Sequence, residues 1–135
     1  MFQKEVIDRI ISHEKSKNYG ILSILPELFY KKKVLLKIPN TSFYPSPKID
    51  SGIILFEKKT SQFNINNISK FINLIKIIFS KRRKTINNNI KFFSNYDKIN
   101  ISQDIIKKVI DKQGFGNKRA EEMSIDNLVN IYKEI

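Results

Sequence analysis

The chain of 135 residues has no cysteine and one histidine, His13. Without thiols there can be no disulfide, no thiolate zinc site and no cysteine nucleophile. A single histidine removes multi-histidine metal sites and makes a Ser-His-Asp triad improbable. His13 itself reads as a surface residue. Acidic residues are scarce, 13 against 25 lysines and arginines, for a formal net charge of +12. Long apolar runs are missing too. The richest, residues 68–79, is interrupted by Ser69, Lys70, Asn73 and Lys76, so it does not read as a membrane span. The first six residues, Met1-Phe2-Gln3-Lys4-Glu5-Val6, lack the apolar stretch of a secretory signal. The expectation is a soluble, cytoplasmic protein with no metal and no membrane partner.

What is present is positive charge, and it is clustered. An excess of this size on a small chain points to a polyanionic partner, because neutralising phosphates is what a concentrated cationic surface does well. The other reading is a solubilising surface whose lysines accompany a general abundance of Ile and Asn. Clustering favours the first. Hydrophobic content of 41%, with 11% aromatic, suffices for a modest core in one domain or slightly less.

Residues 4–12 carry helical spacing through Val6, Ile10 and Ile11. Residues 22–29 form a second short helix that Pro26 must limit or begin. Residues 33–38 read as a strand closed by Pro39. Residues 49–56 are apolar and β-branched, the composition of a strand buried on both faces, and the two strands could pair as a wide hairpin. Residues 57–62 are polar and charged. Beyond them Phe71, Leu74, Ile75 and Ile78 stand at i, i+3, i+4 and i+7, one apolar helical stripe. Ile86, Ile90 and Phe93 continue at helical spacing. Ser102 is placed to cap a further helix with Asp104 in its first turn and Ile105, Val109 and Ile110 buried; Gly114 and Gly116 end it. Ser124 caps the last helix, which buries Ile125, Leu128, Val129 and Tyr132. Gly114-Phe115-Gly116 follows a helix rather than a strand, so it is a turn and not a cofactor loop. Two or three strands with short helices cannot bury both faces of a sheet, so the front part reads as the tail of a larger α/β domain.

The most informative stretch is Phe43-Tyr44-Pro45-Ser46-Pro47-Lys48-Ile49-Asp50-Ser51. Proline fixes φ and drives the residue before it into extended backbone, which presents Phe43 and Tyr44 on a stiff segment. As a pattern, F-x-P-x-P-K-[VI]-D-S resembles the ribosomal RNA adenine N6-dimethyltransferase family. Met1-Phe2-Gln3-Lys4-Glu5-Val6 resembles its M-[LF]-Q-K-E-V, where a late strand of the methyltransferase sheet turns into a helix. Tyr19-Gly20-Ile21-Leu22-Ser23 resembles Y-G-x-L-S. Phe79-Ser80-Lys81-Arg82-Arg83-Lys84-Thr85-Ile86 resembles F-x-x-R-R-K-T-[LI], and Arg119-Ala120-Glu121-Glu122-Met123-Ser124 resembles R-A-E-x-[LM]-S. The five segments come in family order and cover nearly the whole chain. Their form points to the small-subunit 16S-type branch rather than to the related resistance methyltransferases.

The resemblance implies transfer of methyl groups from S-adenosylmethionine to the exocyclic N6 of adenosines in small-subunit rRNA, with an immature 30S-type subunit as partner and a monomeric enzyme. The target base must be extruded and held, because an adenine amine is a poor nucleophile and positioning supplies most of the rate. Phe43 matches the family aromatic that packs on the adenine; the competing role is a core aromatic pinning the hairpin. Tyr44 points to the other side of an extended chain, and Pro45 and Pro47 stiffen it. Lys48 either meets a phosphate or is simply solvated. Asp50 and Ser51 brace the turn. Lys81, Arg82, Arg83 and Lys84, with Lys91 further along, form the strongest basic cluster, read as phosphate contacts distributed around a helix, some of them meeting carbonyls at the preceding helix end. Arg119 with Glu121 or Glu122 is expected to be a structural pair.

The family's glycine-rich loop, its ribose-binding acid and its N-L-P-Y-like segment do not occur. The expected architecture is therefore an α+β fragment: late strands and helices of a Rossmann-like methyltransferase domain over residues 1–58, a linker over 59–66, and a small all-α rRNA-binding domain over 67–135. Such a fragment is expected to bind no S-adenosylmethionine and to be inactive alone. Two other readings stay open: a non-catalytic RNA-binding or ribosome-assembly module, and a helical DNA-binding protein using residues 101–135.

Overall fold

Three strands carry the first part of the chain: β1 (Phe2–Gln3), β2 (Tyr30–Ile38) and β3 (Ser51–Lys58). The structure, a computed structural model, describes residues 1–60, 62–93 and 102–135, so Ser61 of the expected linker and Ile101 at the head of the expected DNA-binding pair lie outside the described residues. It divides into two units, Met1–Gln62 and Phe63–Ile135.

In the first unit the strands form an antiparallel sheet in the order β1-β3-β2. β2 and β3 are the expected wide hairpin, running from Tyr30 opposite Lys58 to Ile38 opposite Ser51, with residues 39–50 as its loop. The register slips at Leu35, a bulge that sets Val34 opposite Ile54 and Leu36 opposite Ile53. One face carries Gly52, Ile54 and Phe56 against helix α1 (Lys4–Ile10), with Ile7, Ile10 and Ile54 as a small core flanked by Val6, Ile11 and Val34. Gly52 is there because nothing larger fits: an added Cβ would stand 2.6 Å from the Ile7 Cδ1 and 2.8 Å from the Leu36 carbonyl oxygen.

The other face corrects one expectation. β3 is not buried on both sides; Leu55, and Leu36 opposite Ile53, are exposed, at 39% and 53%. The composition of a doubly covered strand is present without the second cover. Helix α2 (Ile21–Phe29) also differs, since Pro26 sits inside it rather than in its first turn. The missing N–H costs the bond to the Leu22 carbonyl, but Leu22 is on the exposed side, and complete burial of Ile24 and Leu28 offsets the loss.

The second unit is helical: α3 (Ile68–Ile78), α4 (Ile86–Phe92), α5 (Gln103–Lys112) and α6 (Ile125–Glu134), with a 3-10 turn at Ala120–Glu122. The expected stripe of Phe71, Leu74, Ile75 and Ile78 is fully buried, joined by Ile86, Ile106, Ile110, Met123, Leu128 and Ile131. Phe71 meets Tyr132 edge-on at 5.5 Å, and the Tyr132 hydroxyl accepts the Asn67 N–H at 2.8 Å, so a polar tip finds a partner inside an apolar core. Ser124 caps α6 by accepting the Asn127 N–H. Ser102 occupies the corresponding position of α5 without a side-chain bond. Ile105 was expected inside but is exposed; the buried stripe of α5 is Ile106, Val109 and Ile110, and a residue one step away faces about 100° off it. Gly114, at φ 73°, turns the chain after α5, whereas Gly116 packs under Asn87 and Asp111. Among the described residues no helix is long and apolar enough to cross a membrane, and no group of three His, Cys, Asp or Glu side chains is gathered to hold a metal.

Candidate nucleic-acid interface

The hairpin loop is fastened from within. The Asn40 N–H donates to the Asp50 carboxylate at 3.0 Å, and the Asn40 side-chain amide donates to the Pro47 carbonyl at 3.1 Å. The Ser46 hydroxyl donates to the Phe43 carbonyl at 3.0 Å, and the Lys4 N–H reaches the Asp50 carbonyl at 2.9 Å. Asp50 thus braces the loop, as its place in the sequence suggests. Phe43 lies in extended backbone and is half-buried. Tyr44, before a cis bond to Pro45, is fully exposed, and Pro45, Pro47 and Lys48 are exposed around it. Successive side chains of an extended segment point to opposite sides. The loop therefore offers one anchored aromatic and one free ring tip.

Lys81, Arg82, Arg83 and Lys84 are all exposed, but they do not lie on a helix. They form the turn between α3 and α4, closed by the Lys84 N–H on the Lys81 carbonyl at 3.1 Å. The carbonyl at the end of α3 is met by Asn89, a buried side chain whose amide donates to Ile78. Arg82 lies 3.5 Å from Glu121, one of the two acids expected beside Arg119. Glu122 accepts the Arg119 backbone N–H with its carboxylate, and its own N–H donates to the Arg119 carbonyl at 3.1 Å, closing the 3-10 turn. Lys81 carries its ammonium 4.4 Å from the centre of the Phe92 ring. Lys91 is exposed near the end of α4.

The structure adds residues that sequence reading missed. Thr85 bridges Arg119 in antiparallel fashion, the Ile86 N–H donates to the Lys118 carbonyl at 2.9 Å, and the Asn87 N–H donates to Gly116 at 3.1 Å. The turn at 81–84 is thereby laid beside Lys118 and Arg119, both exposed. Two cationic segments more than thirty residues apart become one surface. No local signal joins them; only the pairing of their backbones does. The proline loop belongs to the first unit and this surface to the second.

Residues 1–133 match the sequence model of the ribosomal RNA adenine dimethylase family. The chain belongs to that family. It is 37% identical over 131 residues to the ribosomal RNA small subunit methyltransferase A of Francisella tularensis subsp. novicida, covering 97% of this chain and 47% of the relative. The protein of the same name from Treponema denticola is 37% identical over 124 residues, covering 91% and 41%. The chain thus spans about half the length of the curated relatives it matches. A crystal structure of a dimethyladenosine transferase from Plasmodium falciparum superposes with a TM-score of 0.76 at 26% identity, over 98% of this chain and 54% of that one. The 23S rRNA methyltransferase ErmE shares the fold, with a TM-score of 0.52 at 13% identity over 98% and 51%.

Ribosomal RNA adenine dimethylases depend on S-adenosylmethionine, and among the described residues no glycine-rich loop joins a strand to a helix to cradle it. A cofactor loop needs glycines between a strand and a helix. All four glycines have other places. Gly20 precedes α2 after a loop, Gly52 lies inside β3, Gly114 ends α5, and Gly116 packs under Asn87. A cleft of about 230 Å³ beside the hairpin loop is lined by Lys4 and Lys37 and by Asp8 and Asp50. It is below the roughly 300–1,000 Å³ of ligand pockets, and Asp50 is already committed to Asn40.

Behind the sheet, Lys32 is nearly buried, its side chain 6% exposed. Its ammonium donates to the carbonyls of Ile10 at 2.8 Å and Ser23 at 3.3 Å and pairs with Glu27 at 2.8 Å. Lys59 joins Glu27 at 3.2 Å. Burial pushes the Glu27 carboxyl up, but hydrogen bonds and charge from Lys32 and then Lys59 outweigh it and hold the group below its ordinary value. The arrangement ties α1, α2 and β2 together and is structural.

Proposed function

We propose that this chain supplies the RNA-gripping part of a small-subunit rRNA adenine N6-dimethyltransferase. Residues 1–58 would be late strands and helices of the Rossmann-like catalytic domain, 59–66 a linker, and 67–135 a helical rRNA-binding domain. The observation that carries the reading is the joining of the turn at 81–84 to Lys118 and Arg119 through the Thr85 bridge, in a member of the ribosomal RNA adenine dimethylase family. A surface of that kind neutralises phosphates and fixes register without reading bases.

Base contact falls to the proline loop. Phe43 holds the extruded adenine by stacking, Tyr44 flanks it, Pro45 and Pro47 keep both rings extended, and Lys48 meets a neighbouring phosphate. The half-buried state of Phe43 supports this, since an anchored ring with an open side keeps its geometry when a base arrives. Lys81, Arg82, Arg83, Lys84 and Lys91 contact the backbone of the RNA. S-adenosylmethionine, where bound, supplies the methyl group, and no residue of this chain is assigned to it. The uncovered sheet face at Leu36 and Leu55 supports membership of a larger α/β domain. The working partner is an immature 30S-type subunit in the cytoplasm, engaged by a monomer.

A second reading is favoured by the glycines. With no cofactor cradle, the chain acts alone as a non-catalytic RNA-binding or ribosome-assembly module. Filter binding against a small-subunit rRNA hairpin and duplex DNA of equal length, with calorimetry against S-adenosylmethionine, tests both. Preference for the hairpin and no heat with the cofactor are expected. Equal or stronger binding to DNA would overturn the RNA reading, and low-micromolar cofactor affinity would overturn the division of labour.

A further inference from the structure

We propose that Phe92, with Lys81 across its ring and Asn88 beside it, is a stacking site for one unpaired RNA base within the helical unit. The proposal deepens the RNA-binding reading and rests on it. Phe92 is the last residue of α4, and it is 52% exposed although Ile86, Asn89 and Ile90 bury the opposite side of the same short helix. A single exposed phenylalanine is ordinary. This one is distinguished by its surroundings. The Lys81 ammonium stands over one face of the ring, 4.4 Å from its centre, which polarises the ring, places positive charge on that side and leaves the opposite face for a base. Asn88 and Lys91 are exposed on the same helix, and Asn88 is one turn before Phe92, at i and i+4. The turn at 81–84 leads directly into that helix.

A ring, an ammonium and an amide in this order match the three parts of an unpaired nucleotide. The base stacks on the open part of the ring, its edge meets the Asn88 amide, and its phosphate meets Lys81. A base inside a duplex has both faces occupied by its neighbours, so the site discriminates in favour of a bulged or loop nucleotide. The phosphate surface at 81–84 and 118–119 reads only backbone; Phe92 would make the docking unit sensitive to where a helix is interrupted. An acidic protein segment would also be attracted to this charge, but it has no planar face to offer the ring.

The test uses the full chain and two RNA hairpins of equal length, one carrying a single-nucleotide bulge of 2-aminopurine and one fully paired. Wild type is expected to bind the bulged hairpin more tightly and to quench its fluorescence. Phe92→Leu, which keeps an apolar side chain at an exposed position, is expected to weaken the bulged hairpin by about tenfold, to abolish quenching, and to leave the paired hairpin within about twofold. Phe92→Trp is expected to retain both affinity and quenching. Equal binding of the two hairpins by wild type with a steep salt dependence would remove this site while leaving the RNA-binding reading intact. Binding of neither hairpin would remove both, and an unchanged Phe92→Leu would remove the stacking role alone.

Discussion

Arg82 and Arg83 are neighbours in sequence and differ in circumstance. Arg82 is shared with Glu121, so a phosphate must compete for it. Arg83→Ala is therefore expected to lower the salt slope of RNA binding by about one unit, and Arg82→Ala by less, read from titrations at several salt concentrations. Equal effects would mean that the Glu121 contact is inconsequential. Lys32 gives a stability prediction of a different kind. Replacing it by Ala takes the ammonium from two carbonyls and leaves Glu27 with Lys59 alone, and should cost roughly 1–3 kcal/mol in chemical denaturation. Glu27 fixes the sign of a pH effect. Its carboxyl is lowered in the folded state, so its contribution is complete above the ordinary value of 4.5 and is lost as pH falls through the lowered folded value. Wild type should lose thermal stability more steeply than Glu27→Gln on acidification through that range; parallel curves would contradict the assignment. Little of this was readable beforehand. Glu27 and Lys32 carry no motif, and Lys118 shows its role only once Thr85 is paired with Arg119.

Elements were far more legible than side-chain partners, for identifiable reasons. The stripe of Phe71, Leu74, Ile75 and Ile78 has the helical period, and the structure buries all four. Pro39, Pro45 and Pro47, three within nine residues, disfavour helix and a central strand far more than the single Pro26 of α2 does, which points to a loop. The bulge at Leu35 was invisible, because both residues at the slip are leucine and alternation has nothing to register. Ile105 misled for a similar reason: three isoleucines and a valine crowd α5, and composition does not say which arc faces inward. At this scale Gly52 is the sharpest test. Gly52→Ala forces a carbon against the Leu36 carbonyl, where backbone must move, and should destabilise the first unit by about 1–3 kcal/mol. A neutral result by calorimetric melting would mean that α1 and the sheet are not held as closely as described.

For the whole molecule, charge and order of motifs carried the reading. A net +12 on 135 residues calls for a polyanion, and five segments in family order gave the family that the comparisons then matched over residues 1–133. Neither revealed the convergence of 81–84 with 118–119, which depends on tertiary pairing across α4 and α5. The account turns on that surface being a phosphate grip. Its most direct test is the slope of log affinity against log salt for this chain and a small-subunit rRNA hairpin, measured for wild type and for the double variant Arg83→Ala, Lys84→Ala. The account predicts a steep wild-type slope that falls by about two units in the variant. A shallow wild-type slope, or one the variant leaves unchanged, would contradict it.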